Sequence, residues 1–295
     1  MNIWIGFTLA AVVLQTARFM LQKHLSGAGL SPAGATFARF LWAAPVVWAA
    51  LLISGLDWPD LTLRFWGLAI LGGVTQILAT VCVVALFRSR NFAVGITLKK
   101  TEVLLTAFIG FLILGETVSL AALLAICVGL FGVLALTDTP VPGGRGLSRF
   151  ANRAAGLGLT SGLFFALSGV TYRGASLEVP GGPEVRALIT LVAVVTSQLL
   201  LMGAWLAWRE KGEITRVITG WRVTSLVGLT SVAGSFCWFS AFTLQNAAYV
   251  YAVGQSEVVL SLLASVLFFR ETLSRREGLG IALISISVLA LIVLT

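Results

Sequence analysis

The sequence predicts an all-α integral membrane protein whose ten transmembrane helices form two inverted five-helix repeats. Three observations support this prediction. The 295-residue chain is 58% hydrophobic and 11% charged, with a mean hydropathy of +0.99, whereas soluble domains carry about 25% charged residues. Its apolar stretches reach about 20 residues, the length that a helix needs to cross a bilayer. The second half of the chain also repeats the first.

Apolar stretches account for nearly the whole chain. Each is expected to be helical, because backbone amides in hydrocarbon must bond within their own segment. The longest connector, 137–153, is rich in proline and glycine and divides the chain into two halves. We therefore predict a first repeat at 1–138, a connecting loop at 139–153 and a second repeat at 154–295. The predicted spans are 2–21, 33–53, 63–86, 93–114, 118–136, 154–174, 185–206, 222–243, 248–269 and 277–294.

The internal repeat has a fixed offset of 155 residues. Residues 85–136 match residues 240–291 without a gap, with 16 identities in 52 positions. An odd number of helices in each repeat makes the second copy enter the membrane from the opposite side. Inverted repeats can exchange between two similar packings, which is the usual basis of alternating access, and they place a substrate site near the midplane.

Lysine and arginine are distributed unequally between the two predicted faces. The connectors that follow the odd-numbered spans carry thirteen of them, and the face that holds both termini carries three. Short basic loops prefer the cytoplasm, so both termini are predicted to lie outside. The net charge of +8 is therefore interpreted as an orientation signal, since no long basic run could follow the phosphates of a nucleic acid.

The cysteine and histidine content excludes several kinds of chemistry. Cys82, Cys127 and Cys237 lie inside apolar spans, as small buried side chains do, and His24 is the only histidine. No metal site and no cofactor is expected. A lipid-modifying membrane enzyme would need clustered Asp, His or nucleophilic residues at a membrane surface, and the single histidine and short loops disfavour that alternative.

Two glutamates occupy the same repeat position in predicted spans four and nine. Glu102 and Glu257 each lie nine residues after the predicted start of their span, about 14 Å into a hydrocarbon layer of about 30 Å. A carboxylate at that depth costs about 3 kcal/mol or more to insert, so it usually faces a cavity or a partner. Burial disfavours the charged form, which allows proton exchange near neutral pH. Both are candidates for proton coupling; the alternative is static pairs that hold helices together.

Two lysines precede the first glutamate and have no counterpart in the second repeat. Lys99 lies three residues before Glu102, so the two share a helix face and are expected to pair. Lys100 points about 100° away. Its partner is predicted to be either an anionic group of a substrate or Glu257 across the repeat axis. The alternative is an internal lysine–glutamate network without ligand contact.

Further polar and aromatic side chains lie inside the predicted spans. Some are expected to line a substrate cavity, although such groups often bond only to neighbouring helices. Arg18 and Arg173 occupy equivalent repeat positions near span ends; they are either arginines that extend to the membrane surface or gate-level cations that guide an anion. The candidate cavity residues are Gln15, Gln76, Trp238, Tyr251 and Gln255.

A short motif follows the fourth span of each repeat. It reads Leu-Gly-Glu-Thr-Val-Ser at 114–119 and Phe-Arg-Glu-Thr-Leu-Ser at 269–274. In both copies the glutamate, Glu116 or Glu271, is expected to cap the following helix. The motif and the repeat resemble the drug/metabolite transporter superfamily, specifically its ten-helix EamA-type permeases. The resemblance implies secondary transport of small metabolites, often export, with no covalent cofactor.

The chain departs from that family pattern in two respects. Members commonly have proline in the fourth and ninth helices, where this chain has Glu102 and Glu257. Typical members are thought to keep both termini in the cytoplasm, whereas the loop charges predict the opposite.

The leading hypothesis is a secondary active transporter that works by alternating access in a bacterial inner membrane. It would export a small polar metabolite, anionic or zwitterionic, and couple this export to protons. The partners would be the substrate, protons and lipid, and one chain with two repeats could work as a monomer. The alternative transport hypothesis is an uncoupled facilitator or exchanger with structural glutamates.

Overall fold

Helices joined by short connectors make up the part of the chain that the computed structural model describes, which comprises residues 2–87, 98–136, 153–259 and 275–294. No strand occurs within these ranges. The helices are α1 (Ile3–Gly27), α2 (Pro32–Ser54), α3 (Leu63–Leu86), α4 (Glu102–Leu114), α5 (Leu120–Leu136), α6 (Arg153–Glu178), α7 (Pro183–Arg209), α8 (Glu213–Thr219), α9 (Trp221–Leu244), α10 (Ala247–Gly254) and α11 (Arg275–Leu294).

Six of these helices, α1, α2, α3, α6, α7 and α9, are long and apolar enough to cross a membrane. They correspond to the first three predicted spans of each repeat. Helices α4, α5 and α11 contain shorter apolar segments. The predicted class, an all-helical membrane protein, is therefore confirmed. The spans predicted at 93–114 and 248–269, and the second copy of the glutamate motif with Glu271, extend into residues outside the described ranges.

Local sequence signals explain where the first helices begin and end. Ser31 caps α2 by accepting a hydrogen bond from the backbone N–H of Gly34 at 2.9 Å, and Pro32 occupies the first turn. Gly55 ends α2 in a left-handed conformation with φ of 65°. Thr62 caps α3 in the same way as Ser31 caps α2. Capping residues thus set both ends of α2 and the start of α3.

The two halves pack against each other in a pattern that the repeat relates. The first helix of each half contacts the third helix of the other, which gives the extensive pairs α1–α9 and α3–α6. The fifth helices of the two halves, α5 and α11, also pack together. Close approach depends on glycine: a Cβ at Gly132 would lie 2.9 Å from the carbonyl oxygen of Gly280. The core therefore lies between the halves as well as within them.

Replacing Gly228 of α9 with alanine is expected to lower the free energy of unfolding by about 1–3 kcal/mol, the usual range for overpacking. An added Cβ would lie 2.3 Å from Cβ of Trp42 and 3.0 Å from its backbone carbonyl carbon. The thermal unfolding midpoint of the purified protein in detergent measures the effect. Gly67→Ala is the matched control, because its Cβ would meet nothing within 4 Å. A Gly228→Ala midpoint equal to that of Gly67→Ala would contradict the packing.

Candidate functional site

The helices that carry the two glutamates are interrupted at the same repeat position. Residues 98 and 99 are helical, Lys100 and Thr101 form a turn, and α4 begins at Glu102. In the second half α10 ends at Gly254, residue 255 is a turn, and residues 256–259 are helical again. Given the offset of 155 residues, the two breaks lie one or two residues before the glutamates. The spans predicted at 93–114 and 248–269 therefore each contain a turn within their described residues.

These breaks need no proline. Instead of the regular i→i−4 pattern, the N–H of Thr101 bonds to the carbonyl of Leu98, and the N–H of Gln255 bonds to that of Ala252. Gly162 of α6 permits the first break, since a Cβ there would lie 2.8 Å from the carbonyl oxygen of Lys99. Interrupted helices with ionisable residues are the construction by which many carriers build sites near the midplane.

Each glutamate forms an ion pair with one of the two lysines. Nζ of Lys99 lies 3.0 Å from Oε1 of Glu102, as the spacing of three residues predicts. Nζ of Lys100 lies 2.7 Å from Oε2 of Glu257. The second pair joins the two halves of the chain. Of the two partners predicted for Lys100, the structure thus contains the glutamate across the repeat.

Both pairs are shielded from solvent. The side chains of Lys99 and Lys100 are each 4% exposed, and those of Glu102 and Glu257 are 6% and 16% exposed. Lys99 also lies over the ring of Phe165 at 4.7 Å. Buried pairs of this kind are costly to separate singly but contribute little net stability. Net stabilisation alone therefore does not explain why four charged groups are buried here.

Two cavities meet at the ion pairs. A small cavity of about 20 Å³ and a larger one of about 300 Å³ are both lined by Lys99 and Glu257. Glu102 lines only the small cavity, and Lys100 lines only the larger one, which extends to Lys23 near the end of α1. The pairs therefore separate a nearly closed central chamber from a more open space.

Four of the other predicted residues, Gln15, Gln76, Trp238 and Tyr251, line the small cavity. Gln76 accepts hydrogen bonds from Tyr172 at 3.1 Å and from Gln198 at 3.0 Å. The ring of Trp238 lies 5.6 Å from the ring of Tyr251, and Gly254 leaves room for the indole, since a Cβ there would lie 3.0 Å from it. One wall of the chamber is therefore polar and the other aromatic.

Gln255 does not line either of these two cavities. It is 2% exposed, and its Oε1 would lie 3.0 Å from a Cβ added at Gly129 of α5. Neither polar atom of its side chain has a hydrogen-bond partner within the described ranges. Its side chain therefore packs towards α5, although it lies at the helix break beside the site.

Arg173 holds several elements together at the end of the molecule opposite to Lys23. Its Nε lies 2.5 Å from Oε1 of Glu116, and its Nη1 donates to the carbonyls of Phe242 and Gln245 at 2.6 and 2.7 Å. The guanidinium thus joins α6 to two connectors. Glu116 pairs with it, and the hydroxyl of Ser119 caps α5 by accepting from Ala122. The capping role expected for Glu116 is wrong.

Arg18 is buried inside the protein. It is 4% exposed, and its guanidinium lies 4.7 Å from the ring of Phe19. The sequence reasoning gave Arg39 no role, yet Arg39 is equally buried on α2. It donates to Oγ of Ser231 at 2.5 Å and of Ser235 at 2.9 Å. The sequence does contain one indication of this buried position, because Arg39 is a charged residue within a run of small and apolar residues.

The long apolar helices define a multi-pass membrane protein. The chain belongs to the EamA-like transporter family, whose model matches residues 2–137 and again residues 152–293. The two matches coincide with the two halves, and the recognition made from the sequence is thereby confirmed. Members of this family are transporters and not enzymes.

One solved structure, titled "Crystal structure of protein", has the same fold. Its TM-score is 0.74 at 17% identity, and the match covers 100% of this chain and 98% of the other. At this identity the similarity concerns the fold alone. The comparison with curated proteins gives no match.

Proposed function

We propose that the chain is a secondary active transporter that moves a small anionic or zwitterionic metabolite by alternating access. The observation that carries this proposal is the set of charged side chains buried where the two halves meet. The pair between Lys100 and Glu257 spans the halves at 2.7 Å and lies beside both cavities. A substrate anion that binds Lys100 would compete with Glu257, so that loading would loosen a contact between the halves.

The proposed topology has ten transmembrane helices in two inverted repeats, with the boundaries predicted from the sequence. The family match in two copies and the related packing of α1–α9 and α3–α6 support it. The proposed location is the bacterial inner membrane, with both termini outside and the basic loops in the cytoplasm. The larger cavity extends towards Lys23 on that basic face, while Arg173 and Glu116 join the elements at the other end.

The proposed direction is export, in keeping with the family resemblance, and the proposed driving force is a proton gradient. Oε2 of Glu102 is buried and has no hydrogen-bond partner among the described residues, and Glu102 lines the small cavity. A carboxyl group in that setting has room to bind a proton when the substrate displaces its lysine. The site would then exchange protons as it changes partners.

Transport by the purified protein in liposomes tests this proposal. We expect uptake of at least one small anion from a panel of organic acids, amino acids and sugar phosphates, and we expect an imposed pH gradient to accelerate it. Neutral analogues of the same size should not enter faster than into empty liposomes. The absence of transport for every member of the panel would contradict the proposal.

A second candidate function is an uncoupled facilitator or exchanger. It is favoured by the ion pairs themselves, because Glu102 and Glu257 already have lysine partners within the protein, at 3.0 and 2.7 Å. In that case substrate exchange proceeds at the same rate with and without the pH gradient.

A further inference from the structure

The interior carries more positive than negative charge. Arg18, Arg39, Lys99 and Lys100 are each at most 4% exposed, and the carboxylates near them are Glu102 and Glu257. The two lysines pair with the two glutamates, and Glu257 also lies within electrostatic range of Arg18, but neither arginine forms an ion pair with a carboxylate among the residues that the structure describes. The surplus in this part of the chain is two positive charges. Buried charges without compensation are among the most costly groups in a protein.

Arg18 and Arg39 are neighbours on adjacent antiparallel helices. Nε2 of Gln22 on α1 donates to the carbonyl of Ala35 on α2 at 3.1 Å, which fixes the register of the hairpin. Arg18 lies one turn before Gln22, and Arg39 lies one turn after Ala35, so both side chains project at the same level. The two guanidinium groups are close enough to interact electrostatically.

Three guanidinium nitrogens at this level have unused N–H donors. Nε and Nη2 of Arg18 and Nη1 of Arg39 are buried and have no hydrogen-bond partner within the described part of the chain. The other nitrogens of Arg39 are held by Ser231 and Ser235 of α9, which fixes the orientation of its guanidinium. Buried donors almost always have partners. A planar guanidinium presents its donors in a fork that matches the two oxygens of a carboxylate or phosphate.

The two arginines do not line the central chamber themselves, but their neighbours do. Gln15, one turn before Arg18, and Ser235, which holds Arg39, both line the small cavity. Its volume of about 20 Å³ is about that of one water molecule, so that an organic anion enters only when the halves move apart. The aromatic wall formed by Trp238, Phe242 and Tyr251 faces the same cavity.

We propose that Arg18 and Arg39 bind one oxyanion group of the transported substrate, separately from the two lysine–glutamate pairs, and that the substrate is a small dianion. This inference rests on the proposed transport function. The arginines hold a carboxylate or phosphate between α1, α2 and α9, and the two negative charges of the substrate balance the surplus. The apolar part of the substrate contacts the aromatic wall.

Thermal unfolding of the full chain in detergent, at fixed ionic strength and pH 7.5, tests the site with named probes. Succinate represents dicarboxylates, inorganic phosphate represents phosphate groups, and succinamide is the neutral analogue. We expect succinate or phosphate to raise the unfolding midpoint of the unmodified protein and succinamide to leave it unchanged. The probe that acts distinguishes a carboxylate site from a phosphate site. If neither anion raises the midpoint, the inference is wrong.

The decisive variant is Arg18→Gln, because a binding role and a structural role predict opposite results for the empty protein. Removing a buried guanidinium that has unused donors should leave the midpoint without anion unchanged or higher. The apparent Kd of the active anion should rise about tenfold or more, as expected when a charged hydrogen bond is lost. A lower midpoint with unchanged anion affinity would assign Arg18 a structural role and overturn the inference.

Arg39→Lys and Arg64→Gln complete the set. Lysine retains the positive charge at position 39 but lacks the forked donors of a guanidinium group. Weaker anion binding is therefore expected, with little change in the unfolding midpoint. Arg64 pairs with Glu178 at 3.3 Å and its side chain is 64% exposed, so its replacement should leave the affinity unchanged. If the liposomes transport an anion but Arg18→Gln retains full affinity, this inference fails and the transport function stands. If anion binding depends on both arginines but nothing is transported, the arginine site stands and the proposed transport function is wrong.

Discussion

Glu257→Gln is expected to lower the free energy of unfolding by about 3–5 kcal/mol, the usual effect of removing one partner of a buried ion pair. Its removal leaves Lys100, whose side chain is 4% exposed, without the carboxylate that lies 2.7 Å away. The double variant Lys100→Met/Glu257→Gln removes both charges and should recover most of this loss. The thermal unfolding midpoint in detergent, measured for both variants, provides the comparison.

Transport separates the structural and functional contributions of this pair. If Lys100 binds the substrate, the double variant should fold normally yet transport at least about tenfold more slowly. If the pair only holds the halves together, the double variant should regain transport together with stability. Full transport by the double variant would therefore remove Lys100 and Glu257 from the proposed site.

Glu102→Gln is expected to abolish the acceleration of transport by a pH gradient while substrate exchange without a gradient continues. Glutamine keeps the shape of the side chain but cannot bind and release a proton. Stability should change less than in Glu257→Gln, because Lys99 also contacts the ring of Phe165 at 4.7 Å. Uptake by liposomes with and without an imposed pH gradient measures the effect.

Glu178→Gln is the control for this experiment, because Glu178 pairs with the exposed Arg64 at 3.3 Å and lies outside the described cavities. It should respond to the gradient as the unmodified protein does. If Glu102→Gln and Glu257→Gln both retain the full response, the proton-coupling proposal is wrong and the uncoupled facilitator becomes the better interpretation.

The membrane fold was predictable because it follows from composition. Long apolar runs identify α1, α2, α3, α6, α7 and α9 without any knowledge of packing, and the offset of 155 residues identifies the two halves. The helix breaks were not predictable in the same way. Residues 100 and 101 are lysine and threonine, neither of which ends a helix by itself, and the backbone at the break packs closely against Gly162 of another helix.

The site could be predicted where partners are close in sequence. The pair of Lys99 and Glu102 follows from a spacing of three residues. The contact of Lys100 with Glu257 remained one of two possibilities, because the partners are 157 residues apart and only the repeat brings them together.

Arg39 and Arg173 show why the remaining contacts could not be predicted. Arg39 has its serine partners on α9, 192 and 196 residues further along the chain, so no local pattern reveals them. Arg173 likewise bonds to carbonyl groups 69 and 72 residues away, and backbone acceptors leave no mark in a sequence. Such contacts emerge only when helices of different halves are brought together.

The surplus of positive charge around Arg18 and Arg39 also determines how the membrane voltage acts on the empty and the loaded site. Moving one elementary charge through 100 mV changes the free energy by about 2.3 kcal/mol. In a cell with a negative interior, an empty cationic site would be drawn towards the cytoplasm, where it could be reloaded. A bound dianion would cancel that pull, so the loaded site could cross without opposing the electric field.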